Sequence, residues 1–254
     1  MTIAAIARNT FREAVRDRIL YSILAFALLL IGASVILAGL SIGQEGRTVK
    51  DLGLASTTLF GTFIAIFLGI TLVSKEIERR TIYLIIPKPI SRPGFLIGKY
   101  CGLVLTLVVT VGVMGVMVFF LSALVDGIVT PALLIAAGVD FVALMIVTAV
   151  ALLFSTFSTP TLSAIFTIAI FVIGRLSGDL TLFADQFADI TLKQAVWVMY
   201  LALPDLGRFQ FGSRVVLGLP LVAADMGAAA AYGLAYTGFL LLVAIAIFQR
   251  RDFK

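Results

Sequence analysis

Histidine is absent from the 254 residues, and cysteine occurs once, as Cys101 within an apolar run. The chain can form no internal disulfide, and a Cys/His zinc site is excluded. A transition-metal site would have to use carboxylates and methionine, a poor ligand set, so we predict no metal site. The phosphate-binding patterns GxxxxGK[ST] and GxGxxG are also missing, so we predict that this chain itself binds no nucleotide.

Charged residues are scarce. They make up 13% of the chain, hydrophobic residues make up 61%, and the mean hydropathy is +1.14. A soluble globular chain is about 25% charged and about 45–50% apolar. A water-soluble protein of this length could not bury so much apolar surface, so we predict an integral, all-α membrane protein.

Six apolar runs are long enough for membrane-spanning helices, which need about 20 residues to cross about 30 Å of hydrocarbon. The fifth run is the shortest. Pro160 precedes it and suits the first turn of a helix, where no backbone N–H is needed, so we predict a tight turn at that point. The predicted spans are Ile19–Leu40, Leu52–Val73, Tyr100–Val125, Ala132–Phe157, Thr161–Gly178 and Ala228–Phe248.

Basic residues fall unequally on the two sides that six spans define. Thirteen of the 19 lie on the side that holds both chain ends, which the positive-inside rule assigns to the cytoplasm. This topology accounts for the basic pI of about 9.6, so we predict no nucleic-acid partner. The thirteen are Arg8, Arg12, Arg16, Arg18, Lys75, Arg79, Arg80, Lys88, Arg92, Lys99, Arg250, Arg251 and Lys254.

Residues 2–18 form an amphipathic pattern at helical spacing. Arg8, Arg12 and Arg16 follow one another every fourth position beside an apolar face. We predict an interfacial elbow helix whose guanidiniums anchor it among lipid phosphates. An ordinary positively charged flank to the first span is the alternative. The apolar face consists of Ile3, Ile6, Ala7, Phe11, Ala14 and Val15.

The stretch 74–99, between the second and third predicted spans, is polar at its start and proline-rich at its end. Gly and Pro are missing from residues 75–86, so we predict a short cytoplasmic helix there, ended by the prolines between residues 87 and 93. A charged helix before a rigid turn is suited to docking a soluble partner. A positively charged loop without a partner is equally compatible with these residues.

The stretch 179–225 is the one long segment on the opposite, extracytoplasmic side. Apolar residues recur at helical spacing from Leu192 to Leu203, and Trp197 and Tyr200 suit a membrane interface. We predict short helices on the outer leaflet rather than a folded domain, since about 47 residues is small for an independent core.

Two ionisable residues fall within the predicted spans. Asp140 lies about nine residues into the fourth span and Arg175 lies near the end of the fifth, so both belong to the outer half of the bilayer. Charges within a membrane are usually paired or face water. We predict an Asp140–Arg175 contact between the two spans; separate solvation and a contact with substrate are the alternatives.

Small residues recur every fourth position in two of the predicted spans, which permits close helix approach. We expect this packing to lie within one chain, and a seam between two copies is the alternative. The residues are Gly61, Ala65 and Gly69 in the second span and Gly227, Ala231 and Ala235 in the sixth.

Four features in order resemble one family. They are R-x-x-F-R-E-A-V-R-D-R-I-L before the first span, K-E-I-E-R-R-T-I-Y-L-I-I-P-K-P-I-S-R-P-G-F-L-I-G-K-Y after the second, a long outer segment between the fifth and sixth, and F-Q-R-R-D-F-K at the end. With these features, which cover essentially the whole chain, the sequence resembles permease subunits of ABC-2-type exporters, including the permease group of copper-enzyme maturation transporters.

In such permeases the cytoplasmic helix after the second span is a coupling helix that sits in a groove of a separate ATPase. The resemblance implies that ATPase as partner, with ATP and Mg on it, and a second permease copy, either identical or a close paralogue. It also implies export across a bacterial-type inner membrane, both termini cytoplasmic, and no cofactor or catalytic residue on this chain. The residues that match this helix are Glu76, Glu78, Arg79, Arg80, Thr81 and Tyr83. Those that match the turn leading into the third span are Lys88, Pro89, Ser91, Arg92, Gly98 and Lys99.

Two other functions are weighed against this one. An ion-gradient-driven secondary transporter favours internal repeats and charges near the midplane, but we find no inverted repeat, and Asp140 is the one candidate for ion coupling. An intramembrane enzyme needs acidic, histidine or serine side chains clustered at one depth. Histidine is absent and the acidic residues are scattered, so the enzyme is the weaker alternative.

Overall fold

The computed structural model describes residues 3–41, 43–78, 91–128, 130–177 and 203–250, and for residues 72–78 the description is limited to the backbone. These residues form eight α-helices and one 3-10 turn, with no strand among them. The helices are α1 (Ile3–Val15), α2 (Arg18–Ala38), α3 (Glu45–Glu78), α4 (Arg92–Asp126), α5 (Ala132–Ser155), α6 (Pro160–Arg175), α7 (Phe211–Val216) and α8 (Ala223–Arg250).

Five helices, α2, α3, α4, α5 and α8, are long and apolar enough to cross a membrane. They correspond to five of the six predicted spans. The remaining one, α6, begins at Pro160 as expected but has only 16 residues. At 1.5 Å per residue it is about 24 Å long, less than the roughly 30 Å of hydrocarbon.

Helix extends into the predicted stretch 74–99 from both sides. α3 continues without a break to Glu78, because no Gly or Pro interrupts it, and α4 begins at Arg92. Residues 75–78 therefore continue α3 and do not begin a separate helix. The helices extend beyond the predicted ends of the spans, because hydropathy marks where contact with lipid ends and not where the helix ends.

Polar caps and special residues set several helix ends. Asp17 Oδ1 accepts a hydrogen bond (3.0 Å) from a first-turn N–H of α2. Ser91 Oγ accepts one from the Gly94 N–H (3.3 Å) at the start of α4, where Pro93 occupies the first turn. Gly127 ends α4 in the left-handed conformation (φ 67°), which glycine adopts without strain.

Helices α3 and α5 form the centre of the bundle. α3 packs against α2, α4, α5 and α6, and α5 also packs against α4, α6 and α8. A Cβ added at Gly61 would lie 2.7 Å from Leu144, and one at Gly69 would lie 2.8 Å from Ala151, so this small-residue row packs within the chain. The second row lies on an exposed face of α8: Gly227, Ala231 and Ala235.

The two ends of the bundle carry different elements. α1 and the last turn of α8 lie against the first turns of α4, so α1 and the end of α8 occupy the same end of the bundle, here called the terminal end. The end of α6, the start of α8 and residues 203–217, here called the strap, lie at the opposite end, here called the strap end.

The strap is inserted among the helices. A 3-10 turn (Gly207–Phe209) leads into α7, and Phe209, Phe211 and Val215 are buried against α3, α5 and α8. The prediction placed the apolar side chains of this segment on the outer leaflet, whereas the bundle itself covers Phe209, Phe211 and Val215. Residues 178–202, which include most of the predicted helix before Pro204, lie outside the described part of the chain.

Candidate functional site

The first turns of α4 contact the end of α8. Arg92 donates from Nη1 to the main-chain carbonyls of Phe248 (3.4 Å) and Gln249 (3.0 Å). The rings of Phe95 and Phe248 stack, with their centroids 6.2 Å apart. These contacts hold the first turn of α4 against α8.

α1 contacts the same part of α4 across two glycines. A Cβ added at Gly98 would lie 2.7 Å from the Ile6 Cβ, and one at Gly102 would lie 2.6 Å from the Thr10 Cβ. No larger residue fits at either position without displacing α1. The two helices therefore touch along most of α1.

Lys99 adds an ion pair to this contact. Its side chain is 1% exposed, and its Nζ lies 3.5 Å from Glu13 Oε2 on α1 and 6.0 Å from the centroid of the Phe95 ring. Burial of an ammonium group is costly unless an opposite charge is near. Lys99 was assigned to a turn before the third span, whereas the structure places it inside α4 and facing α1.

The predicted anchoring arginines lie on the other side of α1. Arg8, Arg12 and Arg16 are exposed, whereas Ile6 and Ala14 are buried against the bundle. Part of the apolar face that was expected to enter lipid is thus covered by α4 instead. The arginine row remains free to meet a charged surface.

Half of the twelve residues matched to the coupling helix and to the turn after it fall outside the described part of the chain. Glu76 and Glu78 belong to the last turn of α3, of which only the backbone is described, and Arg92 begins α4 with its guanidinium directed at α8. Those outside the described residues are Arg79, Arg80, Thr81, Tyr83, Lys88 and Pro89.

The structure brings the two predicted intramembrane charges together near the strap end. Arg175 Nη1, at the end of α6, lies 3.8 Å from Asp140 Oδ1 on α5, and the Asp140 side chain is only 9% exposed. Thr58 on α3 donates from Oγ1 to Asp140 Oδ2 (3.0 Å). The Arg175–Asp140 contact is an ion pair without a hydrogen bond, since 3.8 Å exceeds hydrogen-bond range.

Hydrogen bonds tie the strap to the end of α6. The Leu206 N–H donates to the Gly174 carbonyl (2.9 Å), and Gln210 Nε2 donates to the Arg175 carbonyl (3.3 Å). In hydrocarbon, unpaired carbonyls at a helix end cost several kcal/mol each. The strap therefore supplies hydrogen-bond partners for the last carbonyls of α6.

A second carboxylate joins α6, the strap and α8. Asp205 accepts from Ser177 Oγ (2.5 Å) and from Arg208 Nε (2.8 Å), and its own N–H donates to the Tyr232 hydroxyl (2.9 Å). The Arg208 guanidinium lies 5.2 Å from the centre of the Tyr232 ring. These side chains hold elements together, and among the described residues no three His, Cys, Asp or Glu side chains are grouped to bind a metal ion.

Comparison with known proteins identifies the family of this helical bundle. The model of the ABC-2 family transporter proteins matches residues 4–253. The chain belongs to that family. It is also similar to the probable ABC transporter permease protein NosY of Stutzerimonas stutzeri, at 30% identity over an alignment that covers 97% of each protein. Together with five helices able to cross a membrane, this makes the ABC-2 family protein a multi-pass membrane protein.

Several contacts of this ABC-2 family protein were not predicted from its sequence. Thr58 and Glu13 carry no signal, because a threonine in a spanning helix and a glutamate in an amphipathic helix are ordinary there. For the strap, Pro204, Asp205 and Gly207 indicate a turn, but the sequence does not show that the turn is buried.

Proposed function

We propose that this chain is the permease subunit of an ABC exporter, which forms the translocation path and docks a separate ATPase subunit that binds ATP and Mg. The supporting observation is that residues 79–90 lie in the chain between α3 and α4. The first turns of α4 contact both α1 and α8. A force on this segment would reach all four helices. Membership of the ABC-2 family and similarity to a permease agree with the proposal.

The proposed topology has six crossings, with both termini in the cytoplasm of a bacterial-type cell and the bundle in its inner membrane. α6 completes its crossing together with the strap, which caps the α6 carbonyls. The terminal end also holds the exposed arginine row of α1, residues 8, 12 and 16, which is suited to anchoring among anionic headgroups.

Two permease copies, identical or closely related, would each dock one ATPase subunit. Closure of the ATPases on nucleotide would then move the two bundles relative to one another and carry substrate from the cytoplasm or inner leaflet to the outside. In this scheme the Asp140–Arg175 pair keeps α5 and α6 together during the movement. The chain transmits force and contributes no catalytic residue.

A charge-reversal variant tests the docking. Glu76→Lys, Arg79→Glu and Arg80→Glu are introduced together, and the variant is expected to lose both co-purification with the ATPase subunit and ATP-dependent transport while still inserting into the membrane. The matched control is Glu45→Lys with Arg47→Glu at the strap end, where both residues are exposed and no ATPase contact is proposed. Unchanged co-purification and transport in the first variant would contradict the proposal, and transport driven by an ion gradient without ATP would favour a secondary transporter.

A further inference from the structure

Two adjacent threonines of α3 differ in what they contact. Thr57 and Thr58 are both buried, and each hydroxyl is within hydrogen-bond distance of a main-chain carbonyl one turn earlier, that of Gly53 (2.9 Å) and that of Leu54 (3.1 Å). Of the two, Thr58 also reaches a second helix, because its Oγ1 lies 3.0 Å from Asp140 Oδ2 on α5. A hydroxyl group has one proton, so Thr58 can direct it either to Asp140 or to its own helix.

The Asp140 carboxylate is shared between α3 and α6. Its Oδ2 accepts from Thr58, whereas its Oδ1 lies 3.8 Å from Arg175 Nη1, beyond hydrogen-bond range. Within the described part of the chain, neither this Oδ1 nor this Nη1 has a hydrogen-bond partner, although both atoms are buried. Leaving a buried charged group without such a partner costs free energy. A shift of Asp140 by about 1 Å toward Arg175 would therefore be favourable once Thr58 no longer holds it.

Thr58 can release Asp140 without leaving a donor unpaired in the membrane. Its hydroxyl then donates to the Leu54 carbonyl, which is already within reach. The hydrogen bond to Asp140 also fixes the position of α3 more specifically than apolar packing does, because lipid tails are as apolar as the helix surfaces and burial gives no driving force. The site thus has two hydrogen-bonded arrangements, as a two-state element requires.

This site lies between the segment proposed to dock the ATPase and the strap. α3 is one continuous helix, and Thr58 lies about 30 Å along it from Glu78, after which that segment begins. On the other side, the Arg175 carbonyl accepts from Gln210 Nε2 (3.3 Å). The strap is therefore bonded to the residue that Asp140 would draw closer.

We propose that Thr58 is a positioning residue that couples displacement of α3 to the strap. The inference rests on the proposed function, because the docked ATPase would supply the displacement. In the described arrangement Thr58 holds Asp140. When the ATPases close on nucleotide, α3 shifts, Thr58 donates to the Leu54 carbonyl and Asp140 forms a hydrogen bond with Arg175. The end of α6 and the strap then move together.

Thiol modification at each end of the bundle reports this movement. In a Cys101→Ser background, Ser213→Cys places a thiol at an exposed position of α7, and Gln249→Cys places one at an exposed position near the end of α8. These two proteins are the parents. Each is assembled with its ATPase subunit in nanodiscs, and the rate of modification by a water-soluble maleimide is measured with and without a non-hydrolysable ATP analogue. The analogue is expected to change the rate in both parents.

Thr58→Val removes the hydroxyl and nearly keeps the shape of the side chain. The rate at position 213 should then stay, with or without nucleotide, at the value that the parent reaches with the analogue, while position 249 still responds. Thr57→Val is the matched control and should behave as the parent does, since the hydrogen bond of Thr57 lies within α3. Thr58→Ser keeps a hydroxyl and should restore the response. Thr58→Ala takes the place of Thr58→Val if the latter does not insert.

A double-mutant cycle tests the Thr58–Asp140 contact without the ATPase. Thr58→Val and Asp140→Ala, alone and together, should show a coupling of about threefold in the unfolding equilibrium constant, typical of a hydrogen bond between membrane helices. Additive effects would overturn the inference.

The maleimide experiment separates failure of the inference from failure of the proposed function. An unchanged response at position 213 in Thr58→Val, or a parent response at position 249 alone, would overturn the inference and leave the proposed function standing. Movement would then bypass Thr58, for example through the apolar contact of Leu54 with Gly212. A parent that responds at neither position would contradict the proposed function, and the inference with it.

Discussion

The terminal end and the strap end of the bundle are held together by different kinds of contact. At the terminal end, α1, α4 and α8 meet through glycine surfaces, stacked rings and a guanidinium bonded to main-chain carbonyls. At the strap end, two carboxylates bind side chains from several elements: Asp140 contacts Arg175 and Thr58, and Asp205 contacts Ser177 and Arg208. The first end combines close packing at glycines with separate polar contacts of Arg92 and Lys99, whereas each carboxylate at the second end joins several side chains.

The difference follows from where the helices end relative to lipid. α3 and α4 have 34 and 35 residues and are each about 50 Å long, so they extend beyond the roughly 30 Å of hydrocarbon and their ends can be hydrated. α6 is about 24 Å long, and its terminal carbonyls need partners from the protein. A short helix in a membrane thus needs polar groups of the protein as hydrogen-bond partners for its terminal carbonyls. Those polar groups need partners of their own wherever they are buried.

This comparison predicts the largest loss of stability for a change within the polar network. Asp140→Ala leaves the Arg175 guanidinium facing a buried site without a counter-charge. The free energy of unfolding should fall by about 2–3 kcal/mol, less than the full cost of breaking a buried pair because the Arg175 side chain is 28% exposed. Thermal unfolding in detergent micelles measures the change.

The double variant Asp140→Leu with Arg175→Leu provides the control for that prediction. Because it removes both charges and keeps the apolar volume, its unfolding temperature should lie nearer the wild-type value than that of Asp140→Ala. A double variant less stable than the single one would show that the two charges do not compensate each other.

A smaller loss is expected from overfilling the glycine contact at the terminal end. Gly102→Val places a branched side chain against Thr10 and the Ala7 carbonyl, so α1 must shift, at a cost of about 1–3 kcal/mol. Gly112→Val on the same helix meets no atom within 4 Å and should change stability by less than about 0.5 kcal/mol. Faster proteolysis of α1 in Gly102→Val alone would show that α1 is released locally without global unfolding. Equal stability and equal proteolysis of the two variants would argue against a close α1–α4 contact.

The smallest effect is expected from an exposed pair at the strap end. Arg214 Nη1 lies 3.1 Å from Asp225 Oδ2, and the two side chains are 44% and 50% exposed. Arg214→Gln should lower the free energy of unfolding by no more than about 1 kcal/mol, and salt should diminish even that difference. A loss as large as that of Asp140→Ala would show that burial does not set the strength of the contacts at this end.

The parts of the fold that follow local rules were predictable from the sequence. Apolar runs located five long helices, and Pro160 marked the start of α6 because proline suits a first helical turn. The meeting of Asp140 and Arg175 followed from their common depth in adjacent antiparallel spans, since a charge in lipid needs a partner.

The parts that depend on tertiary contacts were not predictable. Lys99 looks like a membrane-flanking basic residue, and only the close approach of α1 across Gly98 explains its burial. Likewise, nothing in the composition of residues 203–217 specifies that Phe209 inserts beside α8, because this depends on the space that Gly233 leaves there. Local patterns determine where helices form, and the shapes of distant neighbours determine which side chains become buried.

Photo-crosslinking from the segment between α3 and α4 tests the central claim most directly. A photoreactive amino acid replaces Tyr83, and a second variant carries it at Tyr232, which lies on α8 next to the strap. Coupling to an ATPase predicts an ATP-dependent cross-link to that subunit from position 83 and none from position 232. A segment that yields no cross-link during ATP turnover, or that is labelled from outside the cell, would contradict the account.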